Sequence, residues 1–113
     1  MTGCIFCRMI AGEAPASIIH RDEAVIAFKD IIPQAPTHIL VVPIRHISSA
    51  AELTDGDRDL AGRLIMVAVR IADEAGLRSG YRMVINTGKQ AGQSVDHVHI
   101  HLLGGRKMGW PPG

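Results

Sequence analysis

Apolar and polar positions change their period several times along the chain, and each change marks an element. Cys4 to Ala11 has the spacing of a short helix, with Gly12 as its stop and Pro15 beyond it. Ser17 to His20 and Ala24 to Lys29 read as short β-type runs separated by the turn-like Arg21-Asp22-Glu23, and the second run ends at Asp30, before the Pro33-Gln34-Ala35-Pro36 loop. His38 to Val42 is a third apolar run, closed by Pro43. Thr54 is the expected N-cap of a long helix, because Leu60, Leu64, Val67, Ala68, Ile71, Ala72 and Ala75 then recur at helical spacing until Gly76. Tyr81 to Asn86 and Val98 to Leu103 alternate as strands, joined by the glycine-rich stretch Thr87 to Asp96. Three strands before one long helix and two after it predict an α+β fold with a mainly antiparallel five-stranded sheet, one long helix and one short one.

Length and charge narrow this picture. With 113 residues the expectation is a single domain, 1–113, around one modest core. Twelve Lys+Arg against eleven Asp+Glu leave a formal charge of +1 without a basic or acidic run, which argues against nucleic acid as a partner. No apolar run approaches the ~18 residues that span a bilayer, so no membrane partner is expected. The start of the chain does not pair a basic segment with a hydrophobic one, and a cytoplasmic location follows as an expectation. The unusual number is histidine: six, against four aromatic residues, Phe6, Phe28, Tyr81 and Trp110.

Three of the six stand in His97-Val98-His99-Ile100-His101-Leu102-Leu103, which alternates strictly. In a strand, side chains two apart share a face, so His97, His99 and His101 line one side while Val98, Ile100 and Leu102 turn to the core. A neutral imidazole offers one donor and one acceptor nitrogen, so such a row can supply a nucleophile, a phosphate donor and a structural or metal-binding ring. Cys4 and Cys7, three apart on one side of a helical turn, make a poor staple; metal ligation, a redox pair and two free thiols all stay open for them.

The pattern at 97–103 resembles the signature of the histidine triad (HIT) family. The likeness runs through Ile5-Phe6, Asp30-Ile31, Pro33 to His38, His46-Ile47-Ser48, Gly80 to Val84, Asn86, Gly92-Gln93-Ser94 and the ending Trp110-Pro111-Pro112-Gly113. These flanks look like the histidine triad nucleotide-binding branch, which are purine nucleoside phosphoramidases, in its zinc-containing bacterial form. The resemblance implies a single HIT domain that hydrolyses purine nucleoside 5′-phosphoramidates, conjugates of AMP or GMP such as AMP–lysine, through a nucleotidyl-histidine. It implies His99 as nucleophile, His101 as a phosphate donor, His38 as support from the neighbouring strand, where a purely structural histidine is the alternative, and Ser94 near the leaving group. It further implies Asn86, Gly92, Gln93 and Ser94 at the phosphate, Asp30 at the ribose, and Ile5, Phe6, Phe28, Ile31 and Leu40 around the base. Zinc, one per chain and structural, is implied on Cys4, Cys7, His46 and His97, with no cofactor needed for catalysis. A homodimer is implied as well, with the long helix and the Tyr81 to Asn86 strand at the interface and Trp110 reaching into the partner's pocket; for Trp110 a simple packing anchor is the alternative. His20 is left as a solvent-exposed residue without a role. Asp96, Lys107 and Gly109 depart from the best-known eukaryotic members, and these departures bear on leaving-group choice. An AMP- or GMP-binding regulatory protein with incidental hydrolysis is the competing reading.

Overall fold

The first helix, α1 (Ile5–Ile10), starts where the Cys4 side chain accepts the Cys7 amide at 3.3 Å, and it ends before Gly12, whose positive φ lets the chain turn away. The structure, a computed structural model, describes residues 3–113; Met1 and Thr2, the first positions of the expected 1–113 domain, lie outside the described residues. After α1 come five strands: β1 (Ile18–Arg21), β2 (Val25–Lys29), β3 (Thr37–Pro43), β4 (Tyr81–Val84) and β5 (Ile100–Gly104). They form one sheet in the order β1-β2-β3-β5-β4, antiparallel at every pairing, so β3 is central and β1 and β4 are the edges.

Between β3 and β4 runs the long helix α2 (Arg58–Glu74). It begins later than the sequence pattern predicts. Thr54 caps a one-turn 3-10 helix, Asp55–Asp57, rather than α2 itself, and the Asp57 carboxylate reaches back to the Thr54 amide at 2.9 Å. Leu64, Val67, Ala68, Ile71 and Ala72 then form one buried stripe at i, i+3, i+4, i+7 and i+8. The stripe packs on Val25, Ala27, Ile39, Val41, Ile100 and Leu102, the residues of β2, β3 and β5 that point to that side. Each fully buried Val, Leu or Ile of this set contributes about 1.5–3 kcal/mol.

The opposite face departs from the single-core expectation. Ile26, Phe28, Leu40 and Val42, the alternate residues of β2 and β3, pack with Phe6, Met9 and Cys4 of the α1 region into a second apolar cluster. A helix of six residues suffices because Phe6 stands edge-on to Phe28, His97 and His99, with ring centroids 5.3, 5.9 and 5.1 Å apart. The histidine row is therefore no polar outer face: His97 is fully buried and His99 is 3% exposed. Regular pairing also starts later than the alternation suggests. His97 lies in a bend, and residues 98 and 99 precede β5, because the Val98 amide donates to the Ile47 carbonyl at 2.7 Å, outside the sheet ladder. The expectation for His20 is corrected too: it is half-buried, and its Nε2 lies 2.6 Å from an Asp22 carboxylate oxygen.

Candidate active site and candidate metal centre

Register brings the candidate groups together. In the β3–β5 pairing Leu40 stands opposite His101, so His38, two residues before it, lies diagonally beside His101 on the same face. The His38 Nε2 and His101 Nδ1 atoms are 2.9 Å apart. Asp30 follows β2, one position beyond the last paired residue; its amide donates to the His38 carbonyl, one carboxylate oxygen accepts from the Ile32 amide at 2.9 Å, and the other stands 3.3 Å from His38 Nε2.

Main-chain partners decide where each ring keeps its hydrogen. The Gln34 amide can only donate, and it meets His38 Nδ1 at 3.0 Å, so neutral His38 carries its hydrogen on Nε2. That hydrogen faces His101 Nδ1, which must accept, and His101 Nε2–H is left as an outward donor. His99 is fixed from the other side: its Nδ1 lies 2.7 Å from the His97 carbonyl, which can only accept, so the Nε2 lone pair is free. Burial lowers the pKa of all three rings. For His38 and His99 the partly compensating influences are the Asp30 charge and, at His99, the His97 carbonyl. For His101 burial combines with His99 and His38 to bring the value down to about 4. Near pH 7 these are neutral imidazoles, one presenting a lone pair and one a hydrogen.

Both open on a cavity of about 440 Å³ walled by Ile5, Phe6, Phe28, Asp30, Ile31, Leu40, Ser94, His99 and His101, together with Met9, Ala14, Pro15, Lys29, Ile32 and Val95. That volume lies within the range that takes a nucleotide-sized ligand. Of the residues expected around a nucleotide, Asn86, Gly92 and Gln93 do not line it. Gln93 corrects its assignment as a phosphate donor: its amide nitrogen donates to the Ser48 and Val95 carbonyls at 2.7 and 2.9 Å, and its oxygen accepts the Gly88 amide at 2.8 Å. Its donors are spent bracing the loop that delivers Ser94. Trp110 stands 85% exposed, away from this cavity.

On the other side of His97, four ligand atoms converge: Cys4 Sγ, Cys7 Sγ, His46 Nδ1 and His97 Nδ1 lie within 4.8 Å of one another. His97 Nδ1 is 3.4 Å from Cys4 Sγ, 3.6 Å from Cys7 Sγ and 3.2 Å from His46 Nδ1, and Cys7 Sγ is 3.3 Å from His46 Nδ1. Tetrahedral zinc with ordinary bond lengths puts two nitrogens roughly 3.3 Å apart and nitrogen and sulfur roughly 3.6 Å apart. The donor set therefore fits such a metal. His97 is also in the required tautomer, since its Nε2 lies 2.8 Å from the Pro43 carbonyl and must donate there, leaving the Nδ1 lone pair turned inward. Burial first, then the neighbouring Cys4, raises the Cys7 thiol; a divalent cation between the two sulfurs relieves both effects.

Gln34 and Pro43 are functional residues that the sequence does not reveal. Both act through the main chain, and a residue type carries no signal of that. Met9 and Val95, also in the cavity wall, are ordinary apolar residues whose placement depends on how α1 seats on the sheet.

Comparison with known proteins agrees with this geometry. The HIT domain family profile matches residues 11–108. A HIT-like protein of Synechococcus elongatus is 50% identical over 109 residues, 96% of each chain. A 14 kDa zinc-binding protein of Zea mays is 47% identical over 111 residues, covering 96% of this chain and 87% of that protein. Among solved structures, a HIT family hydrolase from Legionella pneumophila superposes with a TM-score of 0.96 at 45% identity, covering 98% of this chain and all of that one.

Proposed function

The chain belongs to the HIT family, and on that premise we propose that it is a purine nucleoside 5′-phosphoramidate hydrolase that works through a nucleotidyl-histidine on His99. The observation that carries this reading is the pair of fixed tautomers at the cavity: a lone pair on His99 Nε2 beside a hydrogen on His101 Nε2. The His99 lone pair forms a bond to the α-phosphorus as the bond from phosphorus to the amine nitrogen breaks. His101 donates a hydrogen bond to the charged phosphate oxygens, and Ser94, in the cavity wall, stands at the leaving group, whose nitrogen takes a proton from solvent water and departs as free amine. A water molecule then attacks the phosphorus and gives up a proton to solvent as the bond to His99 breaks, which yields AMP or GMP and restores the His99 lone pair. Asp30 accepts from the ribose hydroxyls, and Ile5, Phe6, Phe28, Ile31 and Leu40 surround the base. Asn86 and Gly92 lie outside the cavity wall in this geometry; their part at the phosphate rests on family resemblance alone.

Cys4, Cys7, His46 and His97 would hold zinc, and a closed set of four protein ligands makes it a structural ion without an open position for water. The Zea mays relative is described as zinc-binding, which supports the same metal here. The protein would work as a homodimer. Supporting this are the unpaired edge of β4, half-exposed Met83 and Ile85 on and after that strand, and half-exposed Ile65 and Met66 on α2. Trp110 would then reach the partner's cavity. Among the described residues no helix is long and apolar enough to cross a membrane, which accords with a cytoplasmic enzyme.

Incubation with an AMP–lysine phosphoramidate tests the reading. Released AMP is expected from the wild-type protein and not from His99→Ala. Turnover no greater than that of the variant, alongside tight AMP binding, would overturn hydrolysis in favour of a nucleotide-binding role.

A further inference from the structure

The loop from Asp30 to Pro36 carries the amide that, opposite the Asp30 carboxylate at Nε2, sets the His38 tautomer from the Nδ1 side, yet it is exposed at Ile31, Ile32, Pro33, Gln34 and Pro36. Something must keep an exposed loop in register with a buried ring. Within the loop, Asp30 accepts the Ile32 amide and the Gln34 side chain donates to the Ile32 carbonyl at 3.2 Å. Beside these, the Asp30 amide donates to the His38 carbonyl and Ala35 is buried, and further restraints come from the segment that leaves β5. Gly105 packs so closely on Pro36 that a Cβ there would stand 2.9 Å from the proline ring. Arg106 then donates from Nε to the Gln34 carbonyl at 3.0 Å, while its Nη1 donates to the Lys107 carbonyl at 3.2 Å. Arg106 lies outside the catalytic cavity and faces no acidic side chain in any ion pair among the described residues.

We propose that Arg106 is a positioning residue for the His38–His101 pair: by holding the Gln34 carbonyl it keeps the Gln34 amide on His38 Nδ1, and so keeps the hydrogen of His101 directed at the substrate. The inference rests on the hydrolase reading for its effect on turnover, but not for its effect on the ring. Three hydrogen bonds connect the guanidinium to the reacting group: Arg106 Nε–H to Gln34 O, Gln34 N–H to His38 Nδ1, and His38 Nε2–H to His101 Nδ1. If the loop loosens, the Gln34 amide leaves, only the Asp30 carboxylate at 3.3 Å still favours the hydrogen on Nε2, and a share of the His38 rings place it on Nδ1. His38 Nε2 then becomes an acceptor, His101 turns its own Nδ1–H toward it, and a lone pair faces the phosphate oxygens where a hydrogen stood. A donor is replaced by a repulsive contact, with no loss of fold and no loss of the nucleophile.

The experiment compares wild type, Arg106→Ala and Arg106→Lys, each as purified with its metal. Long-range ¹H–¹⁵N spectra of the histidine rings near pH 7 give the tautomer of His38, and turnover of AMP–lysine gives kcat and KM separately. In wild type His38 is expected as a single Nε2–H form. In Arg106→Ala the spectrum moves toward a mixture, kcat falls about ten-fold and KM changes little. Arg106→Lys, which still offers one donor to the Gln34 carbonyl, restores most of both. A His38 spectrum unchanged in Arg106→Ala overturns the proposal whatever happens to kcat, since a loss of activity would then have another origin. A shifted spectrum in a protein whose wild type does not turn over any phosphoramidate sustains the positioning role and sinks the hydrolase reading instead.

Discussion

Two clusters in this molecule look alike as chemistry and differ in what they can do. Cys4, Cys7, His46 and His97 bring four ligand atoms within 4.8 Å of one another, and Asp30, His38 and His101 bring three within the same span. Residue types alone would make each a metal site. The difference lies in one main-chain group per cluster. A carbonyl, that of Pro43, takes the outer hydrogen of His97 and leaves a lone pair facing inward. An amide, that of Gln34, takes the outer lone pair of His38 and leaves a hydrogen facing inward. The first cluster is open to a cation once the thiols ionise; the second already holds a hydrogen between its rings, and a cation could enter only by displacing it. One backbone donor or acceptor, about 3 Å away, separates a cluster open to a cation from a hydrogen-bonded pair closed to one.

The two regions come apart most sharply when one function is removed and the other stays intact. His99→Ala should lower turnover of AMP–lysine by a factor of about 10³ or more, yet keep one zinc per chain by atomic emission. Cys7→Ala should do the reverse. Its zinc content falls to near zero and its melting temperature drops by roughly 10 °C or more, whereas turnover of the folded protein at low temperature stays within about ten-fold of wild type. If His99→Ala also sheds its metal, the two regions are not separable. A third test sharpens the contrast at the hydrogen-bonded pair: His38→Ala should cost about 10- to 100-fold in kcat, and calorimetric titration of the metal-stripped wild type should saturate at one equivalent of zinc. A second tight equivalent, lost in His38→Ala, would make both clusters metal sites.

The smallest expected effect concerns the histidine outside both clusters. Burial alone would raise the Asp22 carboxyl. The His20 ring, the Ala24 and Val25 amides and the Arg63 charge outweigh it and hold the carboxyl at about 2. A depressed carboxylate stabilises the fold above its unfolded value and loses that contribution as pH falls. The window is therefore about pH 4 down to about 2, and the loss is about 1–2 kcal/mol after allowing for partial exposure. Urea melts of wild type and Asp22→Asn should differ at about pH 5 and differ by markedly less at about pH 2.5.

Much of this was written in the chain. The three-then-two strand count, the helical stripe from Leu60 to Ala75 and the period of the histidines all follow from side-chain alternation, which is local. The five-stranded antiparallel sheet with its long and short helices stands as the pattern predicts. Burial of the histidine face was not legible, because it depends on Phe6 and Met9 crossing the sheet, a contact between residues some ninety positions apart. The direction of Gln93 was equally hidden: an amide side chain that serves a phosphate and one that braces a loop have the same composition and the same place in the sequence. Gln34 and Pro43 mark the deeper limit. Their contribution is an amide and a carbonyl that every non-proline residue or every residue possesses, so only the path of the chain makes them particular.

His97 belongs to both regions at once, and this has a consequence best put as kinematics. Its ring is pinned by the Pro43 carbonyl, the two sulfurs and His46, and the next rigid atoms along the chain are its own carbonyl, on which His99 Nδ1 rests at 2.7 Å. The His99 ring is thus located by dead reckoning from the cysteine side, with the slack of three rotatable bonds rather than the slack of a strand. Play in the cluster is felt at His99 only through those bonds, which accords with the modest change in turnover expected when Cys7 is lost, and stiffness there is inherited without further machinery.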